Sequence, residues 1–272
     1  MTAADIEREV VGAPRRRPAR RRAFPYAAVS LLAGAVLWEV GGRLADVRFF
    51  PPLSVVVERL GEMIASGLIL DSLSTSLVNL GVGFAISLAL GLAVGTLMGR
   101  FRKAEAALSS YVYALLTAPS LVFAPIFFSV LGAGRESIIA IVIMYSTFIM
   151  MITTMSAIHQ VQPSLVEMGR SYGASETRLL WLVVLPAATP SIMAGIRLGV
   201  GRAVTGMING EMFIAVVGLG RVVTQAGSRF DGASVLAVLL VIIAVALIAV
   251  ALVQAVDRKL TSWVPATSRG NA

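Results

Sequence analysis

From Gln160 to Pro190 the chain reads QVQPSLVEMGRSYGASETRLLWLVVLPAATP, and this stretch decides how the rest is arranged. It is too polar to cross a bilayer and too regularly patterned to be a slack loop. Pro163 suits a first helical turn, where its missing N–H costs nothing. Leu165, Met168 and Tyr172 then recur at i, i+3 and i+7, one helix face. Gly173 is placed to end that helix in a left-handed cap. Ser175 can cap a second short helix carrying Leu179, Leu180, Val183 and Val184, which Leu185-Pro186 is predicted to stop. Glu167, Arg170, Glu176 and Arg178 lie outside the lipid on this reading. Pattern alone leaves open a loop that merely rests on headgroups.

Long apolar runs flank this segment. The chain is 57% hydrophobic and only 14% charged, against about a quarter charged in a soluble domain. The apolar residues fall in runs of roughly twenty, the length a helix needs to cross hydrocarbon. The sequence therefore predicts an all-α polytopic membrane protein embedded in a lipid bilayer, with about six transmembrane helices. Three parts follow: an arginine-rich tail over 1–23 expected to be disordered, a transmembrane domain over 24–260, and a short tail over 261–272. No cleavage site of the A-x-A kind follows the tail, so no removable signal peptide is expected. The absence of cysteine excludes disulfides, thiolate nucleophiles and Cys-ligated metals.

The first span is expected over about 24–44, with Glu39 and Arg43 spaced to pair on one face. A short amphipathic helix follows, which Ser54 can cap and on which Val56, Leu60, Met63 and Ile64 share a face. The second span, about 77–98, carries Gly91, Gly95 and Gly99 at i+4, a row that admits a closely packed helix. The third, about 107–131, contains Pro119 and Pro125, predicting a kink that either lines a pathway or serves packing. The fourth covers about 137–158. The fifth, about 191–217, holds Arg197, Arg202, Asn209 and Glu211. Charges at a helix centre cost about 2.5–3.5 kcal/mol each on insertion scales, so these four must face the bundle interior, a cavity or a partner. Arg197 is shallow enough to snorkel. Pro119, Pro125, Arg197, Arg202, Asn209 and Glu211 are the candidates for a translocation path, although a structural hydrogen-bonding role suits Asn209 and Glu211 equally. The sixth span, about 233–256, is almost purely aliphatic.

Six spans put both termini on one side. Fifteen of the 23 Lys and Arg residues lie in the two tails, the 2–3 loop and the 4–5 loop, and six lie in the opposite connections. This bias places both termini and residues 160–190 in the cytoplasm. It also explains the net charge of +8 without nucleic acid.

Catalytic chemistry is not legible. There is no G-x-x-x-x-G-K-[ST] loop for nucleotide phosphates, no H-E-x-x-H and no acidic cluster for metal. His159, the single histidine, has no third group to complete a pair with Ser175. No cofactor is expected.

One resemblance is specific. Glu167-Met168-Gly169, Gly173-Ala174-Ser175 and Val183-Val184-Leu185-Pro186 are similar to the E-A-A-x-x-x-G-x9-I-x-L-P pattern of ABC importer permeases. Gly95-Thr96-Leu97-Met98-Gly99-Arg100, Ala118-Pro119, Ala124-Pro125-Ile126, Gly195-Ile196-Arg197, Glu211-Met212 and Gly218-Leu219-Gly220 resemble the nitrate/sulfonate/taurine branch. Met168 and Gly169 stand where the pattern has two alanines. The resemblance covers roughly residues 45 to 260. It implies a type I ABC importer-like permease of a bacterial inner membrane, whose helix–Gly–helix loop docks onto a separate ATP-binding subunit. It also implies a second permease chain, expected to be an identical copy, and an extracytoplasmic solute-binding protein. The implied solute is small and, in this branch, expected to be anionic. Glu167, Met168, Gly169, Gly173, Ala174, Ser175, Leu185 and Pro186 would carry the coupling.

Overall fold

The computed structural model describes residues 24–45, 47, 49–214 and 216–262. The tail expected over 1–23 lies outside them, as does the C-terminal tail beyond Ser262. Every regular element among the described residues is helical. Among the described residues five helices are long and apolar enough to cross a membrane, or six if one bent pair counts as a single span. The chain divides into two compact units, Met1–Ser54 and Val55–Ala272.

In the first unit, α1 (Phe24–Ala45) brings Glu39 and Arg43 to 2.6 Å, as their spacing predicts. The same carboxylate accepts the backbone N–H of Ser54 at 2.9 Å and its hydroxyl at 3.0 Å. Ser54 is therefore not the cap expected. The helix α2 (Leu53–Ala65) starts one residue before it, so Ser54 sits in a first turn whose N–H groups lack intrahelical partners. Glu39 supplies one of them.

The second unit is built on α6. Glycine 67, at φ 78°, turns the chain from α2 into α3 (Leu68–Arg100), which begins well before the expected Leu77. Ser72, Ser76 and Asn79, too polar to face lipid, are buried inside protein, so the helix continues through them. After α4 (Arg102–Thr117) the chain breaks. Ala118 is extended at ψ 139°, as the residue before a proline prefers, and Pro119 leads into a 3₁₀ turn, Ser120–Phe123. Pro125 then lies in the first turn of α5 (Ala124–Leu131), where it loses no hydrogen bond. The two apolar helices meet at 94°. The expected kink is thus a full break, because one proline forces extension and the other starts a new helix.

The helix α6 (Arg135–His159) lies between α3 and a later span, and the glycine rows explain how. Along α3, residues 83, 87, 91, 95 and 99 recur every fourth position and face α6. A Cβ on Gly83 would stand 2.6 Å from Val142, on Gly91 2.5 Å from Met150, and on Gly95 2.7 Å from the Met151 carbonyl. Ser87 and Ser146 join hydroxyls across the seam at 2.7 Å. A second small-residue row on the later span, Gly195, Gly199 and Ala203, faces another side of α6, where Gly195 and Gly199 meet Thr153 and Met150, and Gly206 further along meets Tyr145. Both rows therefore pack within one chain. Close backbone approach is how helices in lipid gain dispersion energy without a hydrophobic drive.

The remaining elements are α7 (Pro163–Ser171), α8 (Glu176–Leu179), α9 (Leu185–Ile214), α10 (Gly218–Ser228) and α11 (Gly232–Leu260). Leu185-Pro186 does not stop the second short helix. A π turn over Leu180–Val184 carries it directly into α9. The wider turn accommodates the N–H that Pro186 lacks, so helix continues where the sequence predicted an end. The glycine-rich stretch after α9 forms the helix α10, with Val217 at its N-cap. Its buried Leu219, Val222 and Ala226 recur at i, i+3 and i+7, a signal the glycines obscured.

Candidate functional site

The polar loop between α6 and α9 folds as two short helices at right to their sequence signals. Pro163 opens α7. Gly173, at φ 77°, ends it: the Ala174 N–H reaches the Gly169 carbonyl at 3.1 Å and the Gly173 N–H reaches Arg170 at 2.8 Å. These paired bonds are a Schellman motif, and the left-handed residue it needs is glycine. The Ser175 hydroxyl accepts the Arg178 N–H at 3.4 Å and caps α8. Gly169 has a packing reason: a Cβ there would run into Leu179, which is buried at 2% exposure. An alanine at 169 would require the Leu179 side chain to shift.

This element keeps an apolar underside and an open outer face. Val184, Ala188 and Ile192 form a small core with Ala157 and Ile158 at the end of α6, and Val166 and Leu180 pack against it. Glu176 takes part in ion pairs with Arg170, at 3.1 Å, and with Arg100 at the end of α3. Glu167, Met168 and Tyr172 are exposed, Tyr172 at 86%, and so is Pro186. Leu185 and Ala174 are half-buried.

The six candidates for a path are not brought together. Arg197 is paired with Asp257 of α11 at 2.8 Å. Asn209 donates to the Tyr145 hydroxyl at 2.9 Å. Glu211 is fully buried, and its carboxyl accepts from the Ser76 hydroxyl at 2.8 Å, the Gly220 N–H at 3.1 Å and the Asn79 amide at 3.3 Å. Arg202, near the middle of α9, is exposed, with no ion pair among the described residues. Pro119 and Pro125 are exposed at the break between α4 and α5. Ser76, Asn79 and Asp257 were not legible as site residues, because nothing local marks a buried serine or a helix-end aspartate as a partner for a residue more than fifty positions away.

Near Asn209, an apolar cleft of about 480 Å³ opens between α9 and α11, lined by Val204, Ile208, Met212, Leu239 and Ile243. Among the described residues no cluster of acidic and histidine side chains could hold a metal ion.

Residues 81–262 match the family described as the binding-protein-dependent transport system inner membrane component. The chain belongs to this family. Among curated relatives of this inner-membrane component, a riboflavin transport system permease of Chloroflexus aurantiacus is 30% identical over 92% of this chain and 95% of its own length. The taurine transport system permease of Escherichia coli is 27% identical, covering 84% of this chain and 85% of the relative. Among solved structures, a chain of the MetNI methionine ABC transporter, captured facing inward, superposes with a TM-score of 0.64. It is 18% identical and covers 71% of this chain and 96% of that one, a likeness that shows the fold. The inner-membrane component is a transport subunit that passes the membrane several times, as the sequence resemblance to importer permeases implied.

Proposed function

We propose that this chain is the permease subunit of an ATP-driven importer, coupled to a separate ATP-hydrolysing subunit through residues 163–186. The observation that supports this most is the shape of that element. Two short helices are locked to each other and to the ends of α3 and α6, yet present Glu167, Met168 and Tyr172 outward, exposed among the described residues. The π turn makes them one continuous piece with α9. A push on this surface has a stiff route into a spanning helix. The sequence carries no phosphate-binding loop, so nucleotide hydrolysis belongs to the partner.

The solute path runs along the side of α9 that carries Arg202. An unpaired guanidinium at that depth must face water or a second subunit, and a permanent positive charge favours a small anion of the sulfonate or nitrate kind. The relatives named for taurine and riboflavin differ in cargo, which fits selection by an extracytoplasmic solute-binding protein. A second copy of this chain completes the pore. Both termini and the α7–α8 element face the cytoplasm of a bacterial inner membrane, by the Lys and Arg bias.

The test is co-purification. The native chain is expected to carry an ATPase from its own host, Glu167→Ala to weaken that association, and replacement of 163–186 by a flexible linker to abolish it. ATPase association and uptake that survive the linker would overturn the assignment, as would labelling of a cysteine placed at 168 from outside intact cells.

A further inference from the structure

The other end of α9 carries a lock that transport by this fold does not by itself require. Glu211 lies in the last turns of α9, three residues before its end, with 0% of its surface exposed. Its neighbours are the N-terminus of α10 and one face of α3. The first N–H groups of a helix have no intrahelical acceptor, and here two of them are met from outside. The Gly220 N–H donates to Glu211 at 3.1 Å, and the Leu219 N–H donates to the Ser76 hydroxyl at 2.9 Å. The Ser76 hydroxyl in turn donates to Glu211 at 2.8 Å, and Asn79 adds its amide. One carboxyl and one hydroxyl, from two spanning helices, thus cap a third.

The fit is close. Gly218 holds φ 75°, and a Cβ on it would overlap the Glu211 carboxyl. A Cβ on Gly220 would come within 2.5 Å of Glu211 Cβ. Glycine is needed at 218 because its φ is positive and the carboxyl fills the space, and at 220 because the backbone of α9 at Glu211 and Met212 does. The chain leaves α9 and is clasped back onto it within a few residues. The far end of that same α9 is joined through the π turn to α8.

We propose that Glu211 is a positioning residue that clamps α10 to α9 and α3, so that α10 moves with the rod whose other end meets the ATPase. This rests on the reading of 163–186 as the coupling element. The clamp works through hydrogen bonds, not through charge offered to a solute, and the two roles are separable. Asn79 Oδ1 is buried and without a hydrogen-bond partner. In Glu211→Gln, the new Oε1 can accept from Ser76 and Gly220. A turned Asn79 amide can accept from the new Nε2. Gln therefore preserves the clamp and removes the ionisable group; Ala removes both.

The experiment measures amide hydrogen exchange over 218–228 in the purified complex with its ATPase in nanodiscs, with and without ATP plus vanadate. In the native protein, trapping nucleotide at the far end is expected to change α10 exchange about threefold, because coupling between two sites is reciprocal. Glu211→Gln is expected to behave like the native protein. Glu211→Ala is expected to exchange about tenfold faster over 218–228, the size expected for losing buried hydrogen bonds, and to ignore nucleotide. Ser76→Ala, a smaller lesion, is expected to lie between them and stands in if Glu211→Ala does not fold. A Gln variant as loose as Ala would overturn the proposal, and so would an Ala variant whose α10 still responds to vanadate. If no ATPase accompanies the native chain, the coupling reading fails; the nucleotide-free comparison of Gln with Ala still decides the clamp.

Discussion

The two ends of α9 are held by opposite means. At one end the helix grows out of α8 through a π turn, and the polar side chains there are exposed: Glu176 meets Arg100 and Arg170 in view of solvent, and the Glu167 carboxylate has no ion pair among the described residues. At the other end Glu211 is sealed from solvent and bonded to Ser76, Asn79 and Gly220. Polar groups are cheap to expose and costly to bury unpaired. One end keeps its polar groups outside, whereas the other buries a carboxyl and meets it with three hydrogen-bond donors.

The largest expected effect comes from breaking the sealed end. Glu211→Leu removes the acceptor for Ser76, Gly220 and Asn79 together. With three buried donors left unpaired at roughly 1–3 kcal/mol each, the loss is expected to be at least about 3 kcal/mol. Thermal unfolding in nanodiscs should show it. Glu167→Ala, at the open end, should leave the unfolding temperature unchanged while ATPase co-purification falls. Equal destabilisation by the two substitutions would erase the distinction between the ends.

A smaller effect tests the packing of the open end. Gly169→Leu puts a side chain where Leu179 already lies. Overpacking costs about 1–3 kcal/mol, here confined to the separation of α7 from α8. The expected outcome is faster proteolysis between 163 and 180, with the span helices untouched and ATPase association reduced. Unchanged association would mean that the two helices need not be locked together to dock.

How much of this was legible depended on whether the governing contact was local. Pro163, Gly173 and Ser175 each act within one turn, and the structure has all three where the sequence put them. The i+4 glycines announced close packing, but not their partner, which is α6 on both sides. Pro186 misled, because a proline's missing N–H ends a helix only if no wider turn absorbs it, and that is settled over the five residues before it. Arg197 and Glu211 showed by composition that they need partners. Asp257 and Ser76, which supply them, lie on other helices. Sequence shows the demand for a partner, and only the fold shows who meets it.

If burial separates the two ends of α9, a partly exposed polar cluster at the start of α11 should contribute little. Asp231 provides that case. It caps α11 by accepting the Ser234 N–H at 3.1 Å and hydroxyl at 2.6 Å, and it faces Arg59 at 3.5 Å with 35% of its side chain exposed. Partial burial pushes its carboxyl pKa up, but the Ser234 hydrogen bonds and the Arg59 charge outweigh it, so the net direction is below the ordinary 3.8. A lowered folded-state value means stabilisation that is complete above 3.8 and lost as pH falls through the folded value. Asp231→Asn should therefore unfold slightly earlier than the native protein at neutral pH, and the two curves should converge on acidification. A gap as large as that of Glu211→Leu would show that this end is held by its charges and not by what it buries, and a gap that widens in acid would show that Asp231 does not act through its charge.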